Sequence, residues 1–488
     1  MTASLDSLPP EAPGWHPGPP AEIPPHPVRQ AQAHGVNPAP DWARIAQELE
    51  GLHQVSAERP RQVLSRDYYW YSPALSEALD GCVADLVVRP TSEEEVQRIA
   101  AVAARHRVAL TVRGGGTGNY GQCVPLVGGL VLDATRLNRV LDIAPGRVRV
   151  QAGARLHDIE RAVRATGQAL RIWPSTWRAA TLGGFIAGGF GGVGSTAHGV
   201  LRDPGNLLRC KVVTVEPEPQ VLVLEGDDIQ QVHHAYGTNG ILTEFEVALS
   251  PAVDWLHVIA LFPQYRQVLD LGLAAGDGAV HAFLLSAVDA RFAPYYTALG
   301  DRFPADRHAM FAMIDPRSMD EFRQLVQQLG GTVSMAMTEH EVEAQGLLPA
   351  YECAYNHTTL RVLKVDRSFS YLQVAYPQPF DPAVVERQMA RFGDEVWQHQ
   401  EFARMHGQPA TFGLVLTRWR GVEHQYAIIR SIEEDGCTIF NPHVMTIEDG
   451  GMKTIDTVQI DFKRRADPMG LMNPGKTRGW SAGMARGS

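Results

Sequence analysis

The sequence predicts an α+β protein: a first domain mixing helices and strands, then a second built on an antiparallel sheet with helices. Three observations predict it. Between residues 80 and 250, short apolar runs alternate with amphipathic helical patterns, opening in β-α-β order. Beyond about 254, strand-like runs multiply, glycine thins out and helical patterns are interleaved. Fifteen of the 46 glycines crowd into 114–129 and 183–199, both inside the first domain. At 488 residues, 44% hydrophobic and 20% charged, the chain is long enough for two or three domains and a large core.

Residues 1–40 hold 11 of the 33 prolines and almost no apolar periodicity, which reads as a disordered or strap-like leader. The first domain is placed at 41–253. ADLVVRP (84–90) reads as a buried strand and TSEEEVQRIAAVAARH (91–106) as a helix. Thr91 is its expected cap, with Glu94 three residues on, and Val96, Ile99, Val102 and Ala103 form one apolar face. VALTV (108–112), LVLDA (130–134), RVLDI (139–143) and VRVQ (148–151) follow as strands. ARLHDIERAVRATG (154–167) is an amphipathic helix stopped by glycine. KVVTV (211–215), VLVLE (221–225) and ILTEFEVAL (241–249) are again strands. The second domain is placed at 254–460, with strands in HVIALF, HAFLLS, HAMFAMI, TVSMAM, YLQVAY and TFGLVLTR. Helical patterns at 317–330 and 422–436 lie between them, on one side of the sheet.

Lys plus Arg is 44 against 54 Asp plus Glu, a net charge of −10, which disfavours nucleic acid and anionic membrane as partners. No apolar run is long enough for a transmembrane helix, and the N-terminus lacks the basic and apolar regions of a secretory signal. Cys82, Cys123, Cys210, Cys353 and Cys437 are scattered without CxxC spacing, against a disulfide framework or a cysteine zinc site. The expected setting is a reducing cytoplasm, with no metal; the oligomeric state stays open, a homodimer being one option.

Glycine weakens helices and strands, so dense clusters imply unusual dihedrals or close approach by something, commonly a pyrophosphate. RGGGTGNYGQ (113–122) contains GxGxxG at Gly116, Gly118 and Gly121, and TLGGFIAGGFGGVGS (181–195) repeats it at Gly189, Gly191 and Gly194. The nicotinamide-binding motif needs a helix directly after its glycines, and neither cluster shows one; GxxxxGK[ST] is also absent. A turn explains one cluster as well as a ligand does. Two clusters joined by β-rich sequence favour a shared phosphate ligand.

At these residues the chain resembles the PCMH-type FAD-binding fold of the vanillyl-alcohol oxidase family. The resemblance rests on VVRPTSEEEV, RGGGTGNYG, VQAGARLHDIERAV, WPSTWRAATLGGFIAGGFGG and GVLRDPGNLLRCKVVTV in that order, then YGTNGILTEFEVALSP and DPMGLMNPGK. It covers roughly 82–253 and 461–479. It implies a two-subdomain FAD-binding fold, a cap domain over 254–460 that selects a small-molecule substrate, and a segment 461–488 that returns to the FAD domain. It implies that Arg113, Gly114, Gly115, Gly116, Thr117, Gly118, Asn119 and Gln122 meet the FAD pyrophosphate from the first loop. Pro174, Ser175, Thr176, Thr181, Leu182, Gly183, Gly184 and Ala187 line it from the second, and Gly191 and Gly192 allow close approach. Gly240 and Ile241 meet the cofactor's edge, and Asn473 and Lys476 bring the C-terminus to it.

Covalent members of the family carry His where this chain has Thr117, and the second anchor, a Cys in the later loop, is missing from 174–199. The resemblance therefore implies dissociable FAD. The HGDGNxH-type metal stretch of the 2-hydroxyacid branch is absent, whereas the NPGK ending resembles that branch. The implied reaction takes a hydride from a CH–OH (hydroxyacid, alcohol or phenolic) substrate, with an unknown electron acceptor. A base is then needed for the departing proton: His443 and His357 are candidates, Arg418 is a candidate carboxylate clamp, and Tyr355 or Tyr71 a hydrogen-bond donor. A non-catalytic flavin- or nucleotide-binding protein and a NAD-dependent dehydrogenase remain the alternatives.

Overall fold

In a computed structural model, residues 35–452 and 454–481 are described. The proline-rich stretch 1–34 of the leader lies outside them. The described residues divide into two compact units, the first comprising 35–191, 201–252 and the described part of 443–481. The second comprises 192–200 and 253–442.

The first unit holds two sheets among its described residues. Leu86–Arg89, Leu130–Asp133 and Leu110–Arg113 run parallel, with His53–Val55 antiparallel on the outer side of Leu86–Arg89. The helix Glu93–His106 makes the crossover and buries Val96, Ile99, Val102 and Ala103 against these strands. Its cap is shifted by one residue from the expected one. Ser92 Oγ accepts from Glu95 N–H at 3.3 Å, and the Glu95 carboxylate accepts from Thr91 N–H at 2.6 Å. The second sheet is antiparallel, in the order Val140–Ala144, Arg147–Gln151, Ile241–Pro251, Leu207–Val213, Val221–Glu225, with Gln168–Leu170 also paired to Ile241–Pro251.

The C-terminal stretch returns to the first sheet. Leu110 N–H donates to Leu471 O and Asn473 N–H to Leu110 O, so 471–473 run alongside strand Leu110–Arg113. This return starts earlier than the expected residue 461: the first unit resumes at His443, because Ile447 N–H donates to Lys476 O and His443 Nδ1 meets Ser72 Oγ at 2.7 Å.

The second unit is one antiparallel sheet. Its order is Thr332–Met337, Leu256–Phe262, His308–Ile314, Ala282–Val288, His399–Met405, Gln408–Arg418, Phe369–Ala375, Thr438–Phe440, with Val396–Trp397 beside Gln408–Arg418. Helices Tyr265–Ala274, Met319–Gln328, Pro382–Phe392 and Val422–Glu433 cover one face, through Val268, Phe322, Val385 and Ile428. The expectation of helices on one side only does not hold. Helix Asn356–Val365 packs on the opposite face, where Thr358 Oγ1 takes a hydrogen bond from Tyr296 and Tyr296 stacks on Phe311. That face also carries Ser286, His399 and Glu401, all wholly buried. Within the described residues, no helix is long and apolar enough to cross a membrane.

Candidate functional site

The two glycine clusters of the sequence meet in the first unit. A Cβ on Gly114 would lie 2.1 Å from Thr181 Oγ1, and one on Gly115 would lie 2.2 Å from the Ala179 carbonyl oxygen. Both glycines are therefore demanded by the approach of the second loop, before any ligand is considered. Thr117 Oγ1 accepts from Thr176 Oγ1 at 3.3 Å, and Gln122 Nε2 donates to Gly188 O at 3.0 Å. Gly116 has a positive φ of 63° that a side chain would strain, and a Cβ there would overlap the Arg113 guanidinium.

The second loop is anchored from behind. Leu182 N–H donates to Ala154 O and Gly183 N–H to Ala152 O, while Thr181 Oγ1 accepts from Gly184 N–H to start helix Leu182–Gly188. This helix begins inside the glycine cluster and was not legible in the sequence. Gly191 closes this piece of the first unit, and Gly192 opens a stretch of the second.

A strip of nearly side-chainless backbone results. Residues 114–118 and 187–191 are half-buried and Gly184 is exposed, whereas Ser175 and Thr181 are buried supports. Neither 113–122 nor 174–192 contains an Asp or Glu. Backbone N–H groups, hydroxyls of Thr117 and Thr176, and no carboxylate in either loop suit a diphosphate. The residues present therefore fit the phosphates of FAD.

Other expected positions are placed differently. Ile241 is wholly buried in the core, and a Cβ on Gly240 (φ +88°) would meet Val212 Cγ1 at 2.5 Å. Packing explains both without a ligand. Asn473 and Lys476 lie under the first loop: Asn473 Nδ2 donates to Gln122 O at 2.7 Å and to Tyr236 O at 2.6 Å, and Lys476 Nζ donates to Gly121 O at 2.5 Å. Asp67, which the sequence did not single out, sits there too, its Oδ1 accepting from Tyr69 N–H at 2.9 Å. Cys123 is next to Arg113, and burial pushes its thiol up to about 11, so it stays a neutral structural group.

The four candidate catalytic side chains separate. His443 belongs to the first unit rather than the second, where the sequence placed it. Its Nδ1 is held at 2.7 Å by Ser72 Oγ, which also accepts from Leu75 N–H and so caps helix Pro73–Ala78. The other three are in the second unit. His357 Nδ1 lies 2.8 Å from Glu352 Oε2. Arg418 lies 4.0 Å over the Phe369 ring, with Ser368 Oγ at 3.0 Å and Asp366 at 3.5 Å, partners that account for its charge. Tyr355 has φ +49°, rare for a side-chain-bearing residue, and its phenol donates to Gly192 O at 2.6 Å. Its N–H donates to Glu401 Oε1 at 2.6 Å, and that carboxylate also meets Ser286 Oγ at 2.9 Å and His399 Nε2 at 2.7 Å. Burial holds the Tyr355 phenol well above its ordinary pKa, so it is a donor and not a base at neutral pH.

Comparison with known proteins agrees with this geometry. Residues 84–220 match a family described as an FAD binding domain. The glycolate oxidase subunit GlcD of Escherichia coli (strain K12) is 34% identical over 200 residues, 39% of each chain. A D-lactate dehydrogenase of Anaerostipes hadrus is 27% identical over 198 residues, 38% of this chain and 40% of that protein. The matched stretch is thus about two fifths of the length of these curated relatives. Among solved structures, an alkyldihydroxyacetonephosphate synthase superposes with a TM-score of 0.68 at 16% identity, over 96% of this chain and 90% of that one, a likeness of fold.

Proposed function

We propose, from the match of residues 84–220 to an FAD binding domain, that this chain is an FAD-linked oxidoreductase that takes a hydride from the CH–OH carbon of a small-molecule substrate. The observation that carries the reading is the pair of touching glycine-rich loops, free of carboxylates and backed by buried hydroxyls. The named activities of the matched relatives, glycolate oxidase and D-lactate dehydrogenase, support the hydroxyacid end of the substrate range. When bound, FAD supplies the hydride acceptor.

The protein's own residues have three tasks. The loops 113–122 and 174–191 hold the diphosphate through N–H groups and the hydroxyls of Thr117 and Thr176. Tyr355, neutral and fixed at Gly192 and Glu401, orients a hydrogen-bond acceptor. His443, with Nδ1 held by Ser72, is the base for the substrate's hydroxyl proton. Its Nδ1 meets a neutral hydroxyl, whereas His357 and Arg418 each have a carboxylate partner.

The test is a panel of hydroxyacids, alcohols and phenols added to the yellow protein without oxygen. Bleaching of the flavin bands by a hydroxyacid is expected. A spectrum that no panel member changes would leave a flavin-binding protein without this activity. A second experiment addresses the bond to the cofactor. Thr117 cannot form the histidyl link of covalent relatives, so acid precipitation should leave FAD in the supernatant; colour retained in the washed pellet would contradict this.

A further inference from the structure

Two buried charges of opposite sign reach the glycine-rich loop from distant parts of the chain. Lys476 is wholly buried with its ammonium on Gly121 O. Asp67 is 8% exposed; its Oδ1 accepts from the Tyr69 N–H, yet its Oδ2 has no hydrogen-bond partner. That oxygen faces the loop, 3.6 Å from where a Cβ on Gly118 would stand. Around the pair, Tyr68 N–H donates to Gly118 O at 2.7 Å and the Arg113 guanidinium donates to Arg66 O.

Replacing a buried charge pair by apolar groups is often neutral or stabilising, so such a pair is weak evidence of a stabilising role. We propose that Asp67 and Lys476 are positioning residues that hold residues 113–122 in the shape that takes FAD, and that they do so only while both are ionised. This rests on the FAD reading above. The route is through planar peptides. A carbonyl tied on one side turns the N–H of the same peptide to the other. With Gly118 O tied to Tyr68 and Gly121 O to Lys476, the Asn119 and Gln122 N–H groups are turned away from those anchors. A neutral Lys476 amine binds Gly121 O more weakly, and a protonated Asp67 leaves the ammonium without its counter-charge.

Burial pushes the Asp67 carboxyl up to about 6, opposed by its bond to Tyr69 and the charges of Lys476 and Arg113. Burial likewise lowers Lys476 to about 8, opposed by Asp67. The other groups facing the pair are the Arg113 guanidinium and Cys123, Cys82, Tyr69 and Tyr236, the last four with pKa values all raised, chiefly by burial, so that they stay neutral. Both charges therefore coexist between about pH 6 and 8. The effect on folding has the opposite sign. A carboxyl raised by burial stabilises the fold below its unfolded value and loses that contribution as pH rises through about 6. An amine lowered by burial contributes above its unfolded value and loses this as pH falls through about 8. The pair is thus least favourable to the fold where it serves FAD best.

The experiment is FAD titration of the flavin-stripped full chain near pH 5, 7 and 9, about one unit outside each transition, read by tryptophan fluorescence. A unit beyond either transition leaves roughly a tenth of the competent form, so the wild-type dissociation constant should rise about tenfold on each side. Single substitutions strand one buried charge, so the decisive variant is Asp67→Asn combined with Lys476→Met. It should bind FAD at least about tenfold more weakly at pH 7, with a flat pH profile. Its flavin-free melting temperature should be equal to the wild type's or higher. Wild-type FAD affinity in the double variant, or a wild-type profile without a maximum, overturns the inference and leaves the FAD reading standing. A wild-type chain that takes up no FAD at any pH overturns both.

Discussion

Gly115→Ala is expected to come out of purification colourless and to bind added FAD at least about a hundredfold more weakly, about 2.7 kcal/mol. A single methyl does this because its carbon would lie 2.2 Å from the Ala179 carbonyl oxygen and 3.2 Å from the Ala180 Cα. These are backbone atoms of the second loop, held by Ala179 N–H to Thr176 O and by Ala180 N–H to the same oxygen. They cannot rotate aside as a side chain can. The loops must part, and with them the strip of bare main chain. Gly118→Ala is the informative contrast, since its Cβ would meet the end of the Gln122 side chain, which can move. Circular dichroism should show Gly115→Ala folded, since the loops are half-buried and lie outside the sheet cores. A yellow Gly115→Ala protein with wild-type affinity would contradict the account of the loops.

His443→Asn is expected to keep the flavin spectrum and to lower kcat by about 10²–10⁴-fold, the range of a lost general base. Asn keeps a polar group near Ser72 Oγ but cannot accept and hold a proton at neutral pH. The rate loss should ease as pH rises and hydroxide replaces the missing base. Ser72→Ala should lower kcat less, because it removes one hydrogen bond of the imidazole and keeps the ring; it also removes the cap on Leu75 N–H, at about 1 kcal/mol. Unchanged turnover in His443→Asn would remove this histidine from the mechanism and return attention to the Tyr355–Glu401–His399 cluster of the second unit.

Most of the sheet framework was legible because periodicity and burial coincide there. Glu93–His106 shows its apolar face in sequence, and Leu110–Arg113 and Leu130–Asp133 read as strands, which the structure pairs in parallel. Strand His399–Met405 was missed because His399, Gln400 and Glu401 are all wholly buried, so no polar-apolar alternation exists to read. Tyr265 donates to Gln400 and Ser286 to Glu401, long-range partners that leave no local trace. Helix Thr457–Ala466 was missed for a similar reason: its buried Lys463 bonds Asp467 at 2.6 Å and Thr238 O at 2.8 Å. In the site, the glycine loops announced themselves by composition. Asp67 did not, being one acidic residue ahead of the aromatic run Tyr68–Tyr71. The one signal was a charge beside residues that belong to a core.

The central claim is that two touching loops of bare backbone bind FAD. The most direct measurement is the visible spectrum of the purified full-length chain before and after added FAD, followed by gel filtration. The account predicts flavin bands that co-elute with the protein in equimolar amount. Protein that elutes colourless after incubation with FAD would contradict it.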